Sequence, residues 1–444
     1  MVWDPPAKII SDLSTFLVQQ TLDRGGNELF LPDQMSFEWE HLVLSVGRTR
    51  TMSTDPLILT QEERQQLIGF IGHSAASYID IFLDHSNAEF AFTEKMDCLA
   101  DDERTSLAGK VGAAIADLVM EQLGFFWRAN ARELKLSLDK RVRLTTKKIP
   151  DFVYDPGAQH GFQQQSVVVV EAKGSLSRKR AKRRTIIKLA QDAYNDQVRN
   201  FIGAEGDGVV VASGYAVAFG SIPGERESTL AIASPQPFHV HSKSVVPVSS
   251  LSSAASGEMQ VAAFDETAED VEVEQSLPPY RFGGGDGGGR GRRGDGERAQ
   301  PSGRMAFANY ENVFQLCGAT QAASLLRGIL SGLGSDGLEP ADVIQDFWVV
   351  GETDRFLFGS DRWWGRFGTF AIYEHSALQI LKAVAENPIS PPASVTIEIV
   401  PADLRRASVI ETNVAVQGDG LALLADWPTS AEHKRWHLRE ARWI

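Results

Sequence analysis

Cysteine is almost missing from this chain: its 444 residues hold two, Cys98 and Cys317, far apart in sequence. That spacing excludes a cysteine-rich zinc module and a disulfide framework, and a reducing cytoplasm is the expected compartment. Long apolar runs are missing as well. The best stretch, Gly208 to Ser221, is broken by Gly and Ser and falls short of the roughly 18 uncharged residues that a membrane span needs, so no membrane role is expected. The opening Met1-Val2-Trp3-Asp4-Pro5-Pro6 has no basic segment leading into an apolar one, and no signal peptide is expected from it.

Positive charge is in deficit, with 44 Lys+Arg against 58 Asp+Glu and a net charge of −14. The deficit is uneven. Residues 101–205 carry 19 basic against 13 acidic side chains, a surplus of 6, which leaves −20 for the rest. A basic segment inside an acidic protein can still offer a local phosphate-binding surface.

Composition and periodicity divide the chain into four parts. Residues 1–104 read as a mainly helical region: Thr60-Gln61-Glu62-Glu63 has the form of a capping box, and Leu67, Ile68, Ile71, Ile79, Ile81 and Phe82 recur near helical spacing. Within it, Gly72-His73-Ser74-Ala75-Ala76 has a trace of a serine-hydrolase elbow, but alanine stands where that motif needs glycine, so an ordinary helix is expected. Residues 105–250 read as an α/β core. A helix over Leu107–Leu123 ends at Gly124, strands follow at Glu133–Leu138, Arg141–Thr146, Pro150–Tyr154 and Val167–Val170, then a basic helix over Arg180–Phe201 and strands at Val209–Val211 and Thr229–Ile232. That order predicts a mixed sheet with at least one crossover connection. Residues 251–304 turn acidic and then glycine- and arginine-rich, with few apolar side chains to bury, and are expected to form a flexible linker. Residues 305–444 read as a separate α+β domain of unassigned role, with helices near Glu311–Leu333 and His375–Ala385. The cluster Arg362-Trp363-Trp364-Gly365-Arg366-Phe367 in that part is expected to serve a core or an interface.

The chemistry gathers between Ile149 and Gly174. Asp151 follows Pro150, and the run Val167-Val168-Val169-Val170 ends abruptly in Glu171-Ala172-Lys173. Strand period two sends Glu171 and Lys173 to one face and Ala172 to the other. If the strand holding Asp151 pairs beside the valine strand, the two carboxylates converge. With the carbonyl of Ala172 they make an all-oxygen pocket for Mg²⁺ or Mn²⁺. Such an ion lowers the pKa of a bound water and polarises a phosphoryl oxygen, while Lys173 would orient the water and offset developing negative charge. The triplet E-x-K recurs by chance, here as Glu133-Leu134-Lys135 and Glu432-His433-Lys434, but only Glu171 follows a valine run and leads into a basic helix.

Pro150-Asp151 and Glu171-Ala172-Lys173 resemble the two motif halves of the PD-(D/E)xK nuclease superfamily, over about residues 105–215. The resemblance implies a restriction-endonuclease-like core, with Asp151, Glu171 and Lys173 catalytic and Asp151, Glu171 and Ala172 on the metal. Gln191, with Tyr194 one turn on, is similar to a glutamine or tyrosine that several such nucleases carry near the site. Many members add a glutamate on the first helix, after a stretch similar to Gly109-Lys110-Val111-Gly112. Ala113 stands there, with Asp117 and Glu121 further along as candidates to replace it.

After the motif, Arg178, Lys179, Arg180, Lys182, Arg183, Arg184 and Lys188 form a dense positive block, which suits phosphate contact without sequence readout. The reading is therefore a Mg²⁺-dependent nuclease acting on DNA sooner than RNA, in restriction, defence or repair, with a homo-oligomer or partner protein engaged through the terminal regions. The alternative is a non-catalytic nucleic-acid-binding or assembly protein on a degenerate nuclease fold.

Overall fold

The computed structural model describes residues 3–18, 26, 28–49, 61–134, 148–157, 160–236, 238–241, 300–332, 343–344, 347–351, 354–359, 367–387, 396–402, 406–409, 412–425 and 434–435. The strands expected at Arg141–Thr146, the cluster at residues 362–366 and the tract at 251–299 lie outside them.

Helix α3 (Asp101–Gln122) leads through Gly124, in the left-handed conformation at φ 84°, into β5 (Trp127–Asn130). Glycine accepts this conformation without penalty, so the helix stops where the sequence marks it. Then follow β6 (Phe152–Asp155), β7 (Ser166–Ser175), the basic helix α4 (Arg183–Ala193) and β9 (Val209–Ser221), with a short β8 (Glu205–Gly206) before it. β5, β6 and β7 pair antiparallel, and β7 pairs parallel with β9 after the α4 crossover. β10 (Ser228–Ser234) extends the sheet beyond β9, and β2 (Asp12–Leu17) closes the row, giving β2-β10-β9-β7-β6-β5 with β8 against β9. The valine run of β7 is buried on both faces, as the centre of such a sheet requires. α3 packs on one face and α4 on the other.

The N-terminal part differs from the expected mainly helical region. Four short strands, β1 (Ala7–Ile10), β2, β3 (Leu29–Pro32) and β4 (Met35–Glu38), precede helices α1 (Trp39–Thr49) and α2 (Gln61–Phe82). Their order comes from distant partners, since β2 lies beside β10 and β3 beside β11 (Phe238–His241), and no local periodicity announces that. Ser74 sits exposed within α2, as an ordinary helix residue. Of the strand expected over Glu133–Leu138, only the first two residues are described, and residues 135–138 lie outside the described ones. Ala131–Leu134, which include those two, form one tight helical turn after β5 instead.

Beyond the linker, α5 (Gly303–Leu316) and α6 (Thr320–Ser331) replace the single helix expected over 311–333. Gly318 breaks it at φ 73°, and the backbone of Gly359 comes so close that a Cβ there would stand 1.9 Å from the Gly318 oxygen. A second sheet runs β15 (Arg406–Val409), β16 (Thr412–Val416), β17 (Leu421–Leu424), β14 (Thr369–Tyr373), β13 (Phe356–Gly359), β12 (Phe347–Val350) and β18 (Lys434–Arg435), with α7 (Glu374–Glu386) after β14. α5 packs against β5, and one hydrophobic cluster joins Trp3, Leu44, Val119, Phe314 and Leu423.

Candidate active site

Strand register builds the site. Phe152 lies opposite Val170 and Val153 opposite Val169, so the next rung sets Asp151, just before β6, across from Glu171. Val153, Val167 and Val169 join the cluster on the α4 side, whereas Phe152, Val168 and Val170 join the core under α3. Period two therefore places Asp151, Glu171 and Lys173 together on the α4 face. Their β9 neighbours at those rungs are Ala216 and Ala218, which leave room for long side chains.

Glu171 is 1% exposed. Its Oε1 accepts a hydrogen bond from the Lys173 ammonium, while its Oε2 has no hydrogen-bond partner among the described residues. Asp151 is exposed, and its Oδ2 accepts from the Ala172 N–H at 3.1 Å. Burial pushes the Glu171 carboxyl up to about 7, and the neighbouring Asp151 charge pushes the same way against the pull of Lys173. An orphaned, buried carboxylate oxygen beside a second carboxylate is a position that a cation would complete.

Among the described residues no three His, Cys, Asp or Glu side chains gather to hold a metal ion. The donor set on offer is smaller: two carboxylates and the Ala172 carbonyl. It fits Mg²⁺ or Mn²⁺, which keep several waters and take one or two protein carboxylates.

Comparison with protein-family models, curated protein sequences and solved structures finds no match. The geometry has to carry the functional reading.

The other expected residues divide. Gln191 lies exposed on α4, and its side chain makes no hydrogen bond among the described residues. Tyr194 is fully buried on the α4 side of the sheet, packed with Val169 and Val198, and burial pushes its hydroxyl up to about 12. Arg178 is paired with Asp97 at 2.7 Å and Arg183 with Asp12 at 2.8 Å. Lys179, Arg180, Lys182, Arg184 and Lys188 are exposed and form no ion pair among the described residues. α4 buries Ile186, Ala190 and Ala193, which turns those cations outward.

Asp117 and Glu121 do not replace the helix glutamate. Both are committed elsewhere: Asp117 accepts from the Tyr154 hydroxyl at 2.7 Å, and Glu121 Oε2 accepts from Arg48 at 3.3 Å. Arg48 and Arg128, both buried, complete this cluster with Asp419, 3.6 Å from Arg48. Its members come from five distant segments, so no spacing in the sequence could have revealed it. Of the two glycines before Ala113, Gly112 has a packing duty, while a Cβ on Gly109 would meet nothing within 4 Å. A Cβ on Gly112 would stand 2.6 Å from the Gly174 nitrogen, so α3 crosses β7 backbone to backbone.

Proposed function

We propose that this chain is a metal-dependent nuclease that hydrolyses phosphodiester bonds, DNA being the favoured substrate. The observation that carries the reading is the cross-strand convergence of Asp151 and Glu171, with Lys173 on the same face and Glu171 Oε2 left unpartnered. Further support comes from the order α3, three antiparallel strands, α4 and a parallel strand, which is the order implied by the resemblance to PD-(D/E)xK nucleases.

Asp151, Glu171 and the Ala172 carbonyl would hold Mg²⁺ or Mn²⁺, which when bound supplies Lewis-acid polarisation and an acidified water. Lys173 sets a cation beside the carboxylates, where it orients the attacking water and offsets charge gathering on the phosphoryl oxygens. The unpaired cations around the start of α4 hold the backbone without reading bases. Gln191, exposed on the same helix, would contact substrate.

A second reading draws on the commitment of Asp117 and Glu121 to the buried cluster, which leaves two carboxylates at the site: a nucleic-acid-binding protein without catalysis. Incubation of plasmid and single-stranded DNA and RNA with Mg²⁺, Mn²⁺ or EDTA separates the two. Metal-dependent cutting is expected, lost in Asp151→Ala and Lys173→Ala while binding persists. Cutting that survives both substitutions would remove the assigned site, and tight binding with no cutting of any substrate would favour the second reading.

A further inference from the structure

The functional face of β7 continues beyond Lys173. Gly174 and Leu176 turn toward α3: a Cβ on Gly174 would strike the Ala108 oxygen, and Leu176 belongs to the core on that side. Ser175 between them therefore faces α4, in line with Glu171 and Lys173. It is 9% exposed, and its hydroxyl makes no hydrogen bond among the described residues. The rung it occupies is covered by the beginning of α4. Its partner on β9 is Gly220, where a Cβ would stand 2.4 Å from Ile186 Cδ1 and 3.2 Å from the Ala181 oxygen.

The chain reaches α4 from Ser175 by a tight turn, in which the N–H groups of Arg180 and Ala181 both donate to the Ser177 oxygen, at 3.1 and 2.9 Å. Thr185 and Ile186 donate to the oxygen of Lys182, the N-cap, whose side chain makes no capping bond. The N–H groups of Lys182, Arg183 and Arg184 have no acceptor among the described residues. A helix start already carries partial positive charge. Here Lys182 and Arg184 are added to it, Arg183 being paired with Asp12, and the first turn holds no acid of its own, so the two unpaired cations leave a place for an anion.

We propose that Ser175 and the first turn of α4 form a seat for a second phosphate of the nucleic-acid backbone, further along the strand from the phosphate at Asp151 and Glu171. The two positions lie about 13 Å apart along the strand, four residues at the usual rise, with Lys173 between them. The Ser175 hydroxyl donates to one phosphate oxygen and the free N–H groups of α4 to others. Naming the phosphate at Asp151 and Glu171 as the scissile one rests on the nuclease reading, whereas the seat itself does not.

The test is binding of short oligonucleotides in EDTA by fluorescence anisotropy, with one linkage at a time replaced by an uncharged methylphosphonate. The wild-type chain is expected to lose affinity at the linkage in the seat. Ser175→Ala is expected to bind the unmodified oligonucleotide about tenfold more weakly, the lower end for one hydrogen bond to a charged group, and to become insensitive to that linkage. Ser175→Thr should restore the wild-type profile. Lys188→Glu should weaken all oligonucleotides alike. Identical profiles for wild type and Ser175→Ala would overturn the seat, even if metal-dependent cutting is observed. A changed profile without any cutting would leave the seat standing and remove the nuclease reading. Absence of binding to every oligonucleotide would remove both.

Discussion

Gly174 of β7 and Ala108 of α3 meet with no room for a side chain: a Cβ on Gly174 would stand 1.8 Å from the Ala108 oxygen. Gly174 follows Lys173 directly, so packing of α3 governs where the end of the motif strand lies. Gly174→Ala is expected to force helix and strand apart and to destabilise by about 1–3 kcal/mol or more, as overpacking does. Chemical denaturation followed by fluorescence measures it. An unchanged midpoint would mean that α3 and β7 can part there at little cost.

The raised Glu171 carboxyl sets a pH signature. Its ordinary value is 4.5 and its folded value about 7, so between them the folded chain holds a proton that the unfolded chain has released. That contribution is fully present below 4.5 and is lost as pH rises through about 7. Asp155, raised from 3.8 to about 6 by burial, acts in the same direction, so the comparison with Glu171→Gln isolates the site. Denaturant titrations from pH 4 to 9 are expected to show a decline that is shallower in the variant, by on the order of 3 kcal/mol at most. Apparent Mn²⁺ affinity should move oppositely, rising through pH 7 as the carboxylate deprotonates. A pH-independent affinity would contradict the assignment.

Arg48 holds Asp117, Glu121 and Asp419 together in the interior. Burial, ahead of every charge nearby, pushes Glu121 up to about 8. Arg48→Ala should cost about 3–5 kcal/mol, because buried carboxylates lose their counter-charge. Tyr154→Phe, which removes a single hydrogen bond to Asp117, should cost about 1 kcal/mol. Equal losses in the two variants, read from denaturation midpoints, would deny Arg48 its central place.

The basic block is uneven in what it offers a ligand. Arg178 and Arg183 are already paired with Asp97 and Asp12, so Lys182→Ala with Arg184→Ala should reduce the dependence of DNA affinity on salt more than Arg178→Ala with Arg183→Ala does. The expected fall in the logarithmic slope is about 2 for the first pair, near 0.9 for each phosphate no longer neutralised. Equal slopes for the two double variants would argue that all four cations reach phosphate.

How much of this was legible in the sequence follows from which forces are local. The β6 and β7 motif segments, Gly124 as a helix stop and the α4 crossover show themselves through period two, glycine conformation and charge, all carried by neighbouring residues. Even the rung that sets Asp151 across from Glu171 follows from pairing two adjacent motif strands. β2 and β3 escaped because their partners are more than 200 residues away. The Arg48 cluster escaped for the same reason, and Asp117 and Glu121 looked like solvated helix charges until partners from α1 and the β16–β17 turn covered them. Ser175 was within reach, since it simply extends the alternation of Glu171 and Lys173.

The shared core has a practical meaning for how this polypeptide can be taken apart. β11 ends at His241 beside β3, and the chain returns at Gln300, whose N–H donates to the Gly157 oxygen at 3.1 Å. Both ends of the intervening stretch are thus anchored on one folded body. A protease cut between them should give fragments that still elute together, and two co-expressed halves split there should reassemble. Whatever residues 300–444 contribute, they act as a built-in part of the fold that carries Asp151 and Glu171, and a truncation before Gln300 would strip away the packing surface of β5 along with them.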